Sequence, residues 1–224
     1  MATPSNLTMK SGGIAIAGAL ILASTAACQR QTSPEPVETM GKAKFPQLAT
    51  GALPSEGRVF LNSAQLEQAL ASKTLDRPVR SLLAVRGPLR FGDFEWNDRD
   101  VPDGPLWIRV DLGAQIISVF RAGHEIGTSV IVYGGDNKQT PGGRLRILAR
   151  DKDHRSSIYD ADMPYTLQLT YDGVAIHGSD VRLGKATHGC VGVPLEFARR
   201  LFDIAKVGDE VVIIPVSAAA RATT

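Results

Sequence analysis

Cysteine and histidine are scarce in this chain, with two and four copies in 224 residues. Two cysteines cannot make a disulfide framework. Aromatic residues are 6% of the chain, and no basic cluster interleaved with aromatics occurs. Charge of one sign is also missing: 25 Lys+Arg against 23 Asp+Glu leave a formal +2. Nothing in that balance argues for nucleic acid, and no nucleic-acid partner is expected. There is no G-x-S-x-G elbow and no HExxH, and "YGGDNKQTPGGR" lacks the G-K-[ST] ending of a phosphate loop, so it reads as a plain loop at the border of a substrate groove. What the chain has is an ordinary apolar share, 43%, and length enough for one sizeable core with a small appendage.

The first residues read as an export signal. Lys10 precedes an apolar run from Ile14 to Leu22, followed by small residues and Cys28. The run is too short for a comfortable membrane span and has the layout of a secretory signal, 1–28. "TAAC" resembles a bacterial lipobox, with Thr25 where leucine is usual. Cys28 is therefore expected to carry lipid and to anchor the chain to a membrane. The alternative is cleavage after Ala26 or Ala27, with Cys28 a stray thiol. Lipid on Cys28 would leave Cys190 as the one free thiol and would remove any case for an internal disulfide. Residues 29–54, polar and proline-rich, read as a disordered tether, and 217–224 as a flexible tail.

Residues 55–104 read as a small N-terminal layer. Within it "LNSAQLEQALASK" predicts a helix, with Asn62 and Gln65 at capping-box spacing and Leu61 and Leu66 as a hydrophobic staple. From 105 to 216 the texture becomes short β-rich runs: "LWIRVD", "IISVF", "EIGTSVIVY", "LRILA", "YTLQLT", "VAIHG" and "EVVIIPV". Turn signals separate them. One helix interrupts, "PLEFARRLFDIAK", with Pro194 in its first turn, Phe197, Leu201 and Ala205 on its apolar face, and Gly208 as its end. The fold class is mainly β with some α: a β-sandwich or barrel-like domain with one late packed helix.

"HGSDVRLGKATHGC", residues 177–190, gathers two of the four histidines and a cysteine among small residues. A packed core has little use for such a segment. "VAIHG" ends a strand at His177, Gly178 opens a loop, and the loop returns to His188, Gly189 and Cys190. A free thiol has a pKa of about 8.5, so it needs an imidazole to take its proton; contact would hold a thiolate–imidazolium pair. Gly189 lets the chain turn and aim backbone amides at one point. By spacing alone, an inert buried cysteine with surface histidines fits as well. Zinc on His154, His177, His188 and Cys190 is the weaker chemical reading, and no metal or other cofactor is expected. Ser179 and Asp180 read as a solvated turn, as do His124 and His154.

"THGC" after a strand-ending "IHG", with "TPGGR" and "MPYTLQLTYDGVAIHG" upstream, resembles the YkuD-type L,D-transpeptidase catalytic domain over about residues 105–215. The resemblance implies a YkuD-like β-sandwich with Cys190 as nucleophile and His177 as general base and proton donor. His188, Gly189 and Gly178 match positions that shape the loop and oxyanion hole. Tyr165 and Thr187 match expected substrate contacts. The family commonly has arginine or asparagine where Gly192 stands, so Arg144, Arg155 or Arg182 would have to hold a substrate carboxylate. The implied partners are peptidoglycan stem peptides and a wall-anchored lipoprotein as an acceptor. Cys190 would attack a stem tetrapeptide, release D-alanine, and pass the acyl group to an amine. Two other readings stand beside this one: a hydrolase using the same site, and a non-enzymatic wall-binding lipoprotein. Between the histidines, His188 is nearer to Cys190 in sequence, yet His177 is the expected base because a strand end is a rigid mount. His177→Ala is then expected to raise the Cys190 pKa towards the free value.

Overall fold

The computed structural model describes residues 57–216 apart from 136, 137 and 158. The signal, the tether, Cys28 and the tail lie outside the described residues. In chain order come β1 (Arg58–Val59), α1 (Ser63–Ala71), β2 (Leu82–Leu83), β3 (Phe94–Trp96), β4 (Leu106–Asp111), β5 (Ile116–Arg121) and β6 (His124–Val130). Then follow β7 (Gly143–Arg146), β8 (Ala149–Ser156), β9 (Ala161–Gln168), β10 (Ala175–Gly178), β11 (Val191–Val193), α2 (Leu195–Ile204) and β12 (Glu210–Ile214). The class is mainly β with two helices. The strands form a six-stranded sheet, β3-β6-β5-β4-β12-β7, a four-stranded sheet, β11-β10-β9-β8, and a two-stranded pair, β1-β2. These sheets are open, so the sandwich half of the expectation describes them and the barrel half does not.

Period-two patterning builds the core. Ile108 and Val110 of β4, Ile117 and Val119 of β5, and Val211 and Ile213 of β12 point inward from the large sheet. Leu167, Ile176, Val191 and Val193 meet them from the small sheet. Helix α2 seals this core with Phe197, Ala198 and Leu201. Phe197 is fully buried and sits edge-on to Phe94 and Trp96, at ring centroids 5.9 and 5.4 Å. Burying one such ring contributes about 1.5–3 kcal/mol. The helix ends at Ile204, with Ala205 already extended, so Gly208 is not its stop. Gly208 instead turns the chain at φ +95°, and its amide bonds the carbonyl of Ile147.

The N-terminal layer is fastened to the large sheet. β3 pairs with β6, and α1 carries the capping box of Asn62 and Gln65. Its Leu66 and Leu70 pack on a cluster with Trp107 stacked on Phe120. Arg77 lies over the Trp107 ring and pairs with Glu210 at 2.7 Å, holding that carboxyl at about 2. Several elements depart from the sequence reading, among them β1, β2 and β3, which lie in a layer read as helical. β8 is a full strand although "ARDKDHRS" has no apolar alternation, because both its faces are largely exposed. β11 is only three residues, too short for a pattern. His124, read as a turn residue, opens β6 and bonds the Ser81 hydroxyl at 2.8 Å.

Candidate active site

β10 and β11 run parallel, with Ile176 opposite Val191 and His177 opposite Gly192. Side chains alternate, so Ile176, Val191 and Val193 enter the core while Ala175, His177 and Cys190 line the other face. Strand spacing and rise put the Cα atoms of His177 and Cys190 about 8 Å apart, on a diagonal their side chains can close. Both line a cleft of about 1000 Å³, with β8, β9 and the 179–190 loop among its walls.

His177 is buried, and its Nδ1 lies 2.9 Å from the carbonyl of Gly178. A carbonyl only accepts, so Nδ1 carries the proton and Nε2 is left as a base. Burial lowers the His177 pKa, the charge of His154 adds to that, and the Gly178 carbonyl partly opposes it. The Cys190 thiol donates to the carbonyl of Gly173 at 3.5 Å. Burial pushes that thiol up; the backbone of Ala175 and the Lys138 ammonium pull it down, and Asp172 adds to the rise. Both directions favour the uncharged forms. These directions run against the expected thiolate–imidazolium pair, and desolvation is the largest cause of each.

The loop from 179 to 190 is strapped to residues 132–135. Thr187 donates its amide to the carbonyl of Tyr133 at 2.9 Å and receives the amide of Gly135 at 3.2 Å. Its hydroxyl donates to the carbonyl of Cys190 at 2.5 Å. That hydroxyl thus fixes the backbone at Cys190, although Thr187 also lines the cleft. Gly189 holds φ +101°, where a side chain is strained. Gly178 packs under α2: a Cβ there would stand 3.0 Å from Leu195 Cδ1 and 3.1 Å from Pro164 Cγ. His188 is exposed, its ring stacked on Tyr159 at 4.1 Å and 15°. Of the two histidines, His177 is therefore the buried, hydrogen-bonded one, and His188 lies on the rim.

Several expected contacts fall elsewhere. Tyr165 has φ +58°, which breaks the alternation of β9, and its ring packs on Phe202 of α2, 5.7 Å between centroids. It is not among the cleft-lining side chains, which are Met163 and Thr166 at this point of β9. Arg182 pairs with Asp180, Arg155 with Asp160 and Asp162, and Arg144 with Asp76 and Glu210. None of these three arginines lines the cleft. Gly192 has a steric cause: a Cβ would stand 2.7 Å from Val132 Cγ2 and 2.8 Å from Ser179 Cβ. Ser179 fills the place a side chain at 192 would need. Residues that the sequence reading did not place at the site are Lys138, Asp172 and Gly173, which stand around the thiol; His154, read as a turn residue, lies in β8 and lines the cleft. For the first group, "DG" in the 171–174 turn signalled a turn and not a site, while "YGGDNKQTPGGR", which holds Lys138, signalled a loop at the border of a groove without singling out the lysine.

Residues 105–213 match the family model of the YkuD L,D-transpeptidase catalytic domain, and this segment belongs to that family. No curated protein matches the chain. Among solved structures, an L,D-transpeptidase from Stackebrandtia nassauensis is 22% identical, covering 52% of this chain and 60% of that one at a TM-score of 0.47. One from Mycobacterium smegmatis is 19% identical, with coverages of 49% and 58% and a TM-score of 0.46. L,D-transpeptidase 3 from Mycobacterium tuberculosis, in complex with a faropenem-derived adduct, is 17% identical, with coverages of 57% and 79% and a TM-score of 0.46. The chain spans less than two thirds of the length of the first two.

The two shifts make a prediction. The rate of Cys190 alkylation against pH should have its midpoint above the free-thiol value of about 8.5. His177→Ala should leave that midpoint within about half a unit, since burial and not an ion pair sets it. A midpoint well below 8.5 that rises in His177→Ala would restore the ion-pair account.

Proposed function

We propose that the chain is an exported peptidoglycan L,D-transpeptidase. The observation that carries this reading is the shared cleft face of Cys190 and His177, with Nδ1 pinned and Nε2 free, inside a domain of this family. The Cys190 sulfur attacks the carbonyl of the third residue of a stem tetrapeptide. Its proton passes to His177 Nε2 as the carbon–sulfur bond forms, which suits a site that starts uncharged. His177 then gives that proton to the departing D-alanine amine, leaving a thioester on Cys190. An acceptor amine loses its proton to His177, attacks the thioester, and frees the thiolate, which takes the proton back. The amine is a second stem's diaminopimelate side chain, giving a 3→3 cross-link, or a lysine of a wall-anchored lipoprotein. The burial of His177 and the partial burial of Cys190 also lower the local dielectric, which strengthens whatever backbone amides meet the oxyanion.

Purified full-length chain with isolated tetrapeptide muropeptides tests this reading by product mass. Loss of D-alanine together with a cross-linked dimer is the expected result. Tripeptide without dimer would make the chain a hydrolase with the same nucleophile, and unchanged tetrapeptide would leave only a wall-binding role.

Export and anchoring rest on Lys10, the run Ile14–Leu22 and "TAAC". A peptidoglycan enzyme works outside the cytoplasm, and a lipid on Cys28 with residues 29–54 as tether would give the domain reach from a membrane to the wall. The intact mass of the protein from a membrane fraction should include acyl chains on Cys28. A soluble protein beginning at Ala27 or Cys28 without lipid would remove the anchor and leave export.

A further inference from the structure

Lys138 has a position that neither the motif nor the mechanism uses. Its stem lies along the backbone of Gly189, next to the nucleophile: a Cβ on Gly189 would stand 3.4 Å from its Cγ and 3.5 Å from its Cδ and Cε. Its ammonium reaches Asp172 at 3.8 Å. Asp172 adjoins Gly173, whose carbonyl takes the Cys190 thiol. The ammonium and the sulfur are thus anchored on consecutive residues of one turn.

The other cations of this region are engaged. Lys185 and Arg182 share Asp180. Arg150 lies over the Phe202 ring and donates to the Phe202 carbonyl. Arg155 is held by Asp160 and Asp162. Among the described residues Lys138 pairs with Asp172 alone, whose side chain is 70% exposed, and an exposed ion pair of this length is weak and easily exchanged. Of the cleft's cations it is also the one whose charge bears on the thiol.

We propose that Lys138 is the carboxylate-binding residue of the acyl-donor side, and that Asp172 occupies its ammonium until a donor arrives. The ligand class is a peptide ending in a free α-carboxylate one residue beyond the carbonyl under attack. In such a peptide three bonds separate that carbonyl carbon from the carboxylate carbon, so both fit a site whose sulfur and ammonium share one turn. Selection of a chain end over an internal peptide bond follows, because an internal bond has no carboxylate there. The ligand's identity rests on the transpeptidase reading above. The space at Gly192, closed by Val132 and Ser179, leaves this role to another residue.

Binding to the full-length Cys190→Ala chain tests the proposal without turnover. The probes are the tetrapeptide L-Ala-γ-D-Glu-diaminopimelyl-D-Ala as its C-terminal acid and as its C-terminal amide. The acid should bind about tenfold more tightly than the amide. Lys138→Met, which keeps the stem over Gly189, should bring the acid down to the level of the amide and leave the amide unchanged. Asp172→Asn should tighten the acid by a few-fold and not the amide, a gain that a purely structural role would not produce. Equal binding of acid and amide, an equal loss of both in Lys138→Met, or no binding of either overturns the proposal. Turnover by the unmodified chain is read separately. An acid preference without turnover sinks the transpeptidase reading and keeps the subsite; turnover without a preference does the reverse.

Discussion

The pairing of β10 with β11 is the constraint on which the site depends. Parallel strands cannot be joined by a tight hairpin, so the chain between Gly178 and Val191 must cross over. That crossover is the loop that ends in His188, Gly189 and Cys190. A slip of one residue in the register would turn Cys190 towards the core and Val191 towards the cleft. The register is fixed from both sides. Val132 and Gly192 exchange backbone hydrogen bonds at 3.0 and 2.8 Å, and the amide of Ser179 bonds the carbonyl of Val193 at 2.8 Å. Such close approach is possible because position 192 has no side chain, so the glycine that departs from the common family pattern is also what this packing requires.

Burial sets the electrostatics of the same site. It pushes the thiol up and the imidazole down, which are opposite directions on the pKa scale and the same direction in charge. Both shifts favour the uncharged forms, which suits the proposed transfer of the thiol proton to His177 as sulfur attacks. Local charges modulate these shifts without reversing them. Lys138 and Asp172 act on the thiol in opposite senses, and His154 acts on His177 from across the cleft.

The sequence exposed the parts of the fold that are amphipathic and hid those that are not. β4, β5 and β12 are legible because Ile108, Val110, Ile117, Val211 and Ile213 alternate or run together into one core. The start of α1 is legible because its capping box is local chemistry. β8 is not, because a strand exposed on both faces has no pattern to read. At the site, the meeting of His177 and Cys190 on one cleft was legible from a strand-end histidine and a cysteine at the far end of its loop, and the turn at Gly189 from the glycine itself. The tautomer anchor of His177, the Gly178 carbonyl, was legible only as a strand-end position. Lys138 and Asp172 were not, because they reach the thiol from 52 and 18 positions upstream through tertiary packing alone. Tyr165 misled, because a positive φ inside a strand turns its side chain to the other face and nothing in "MPYTL" announces that.

The central claim is that Cys190 is the nucleophile and His177 its base. Peptide mass mapping after exposure to the stem tetrapeptide tests it most directly, with the acyl adduct followed in time on the peptide that carries Cys190. The account predicts a covalent adduct on Cys190 in the unmodified chain, none in Cys190→Ala, and formation slowed by at least about a hundredfold in His177→Ala, the usual range for loss of a general base. An adduct that maps elsewhere, or one that forms on Cys190 at an unchanged rate without His177, would contradict it.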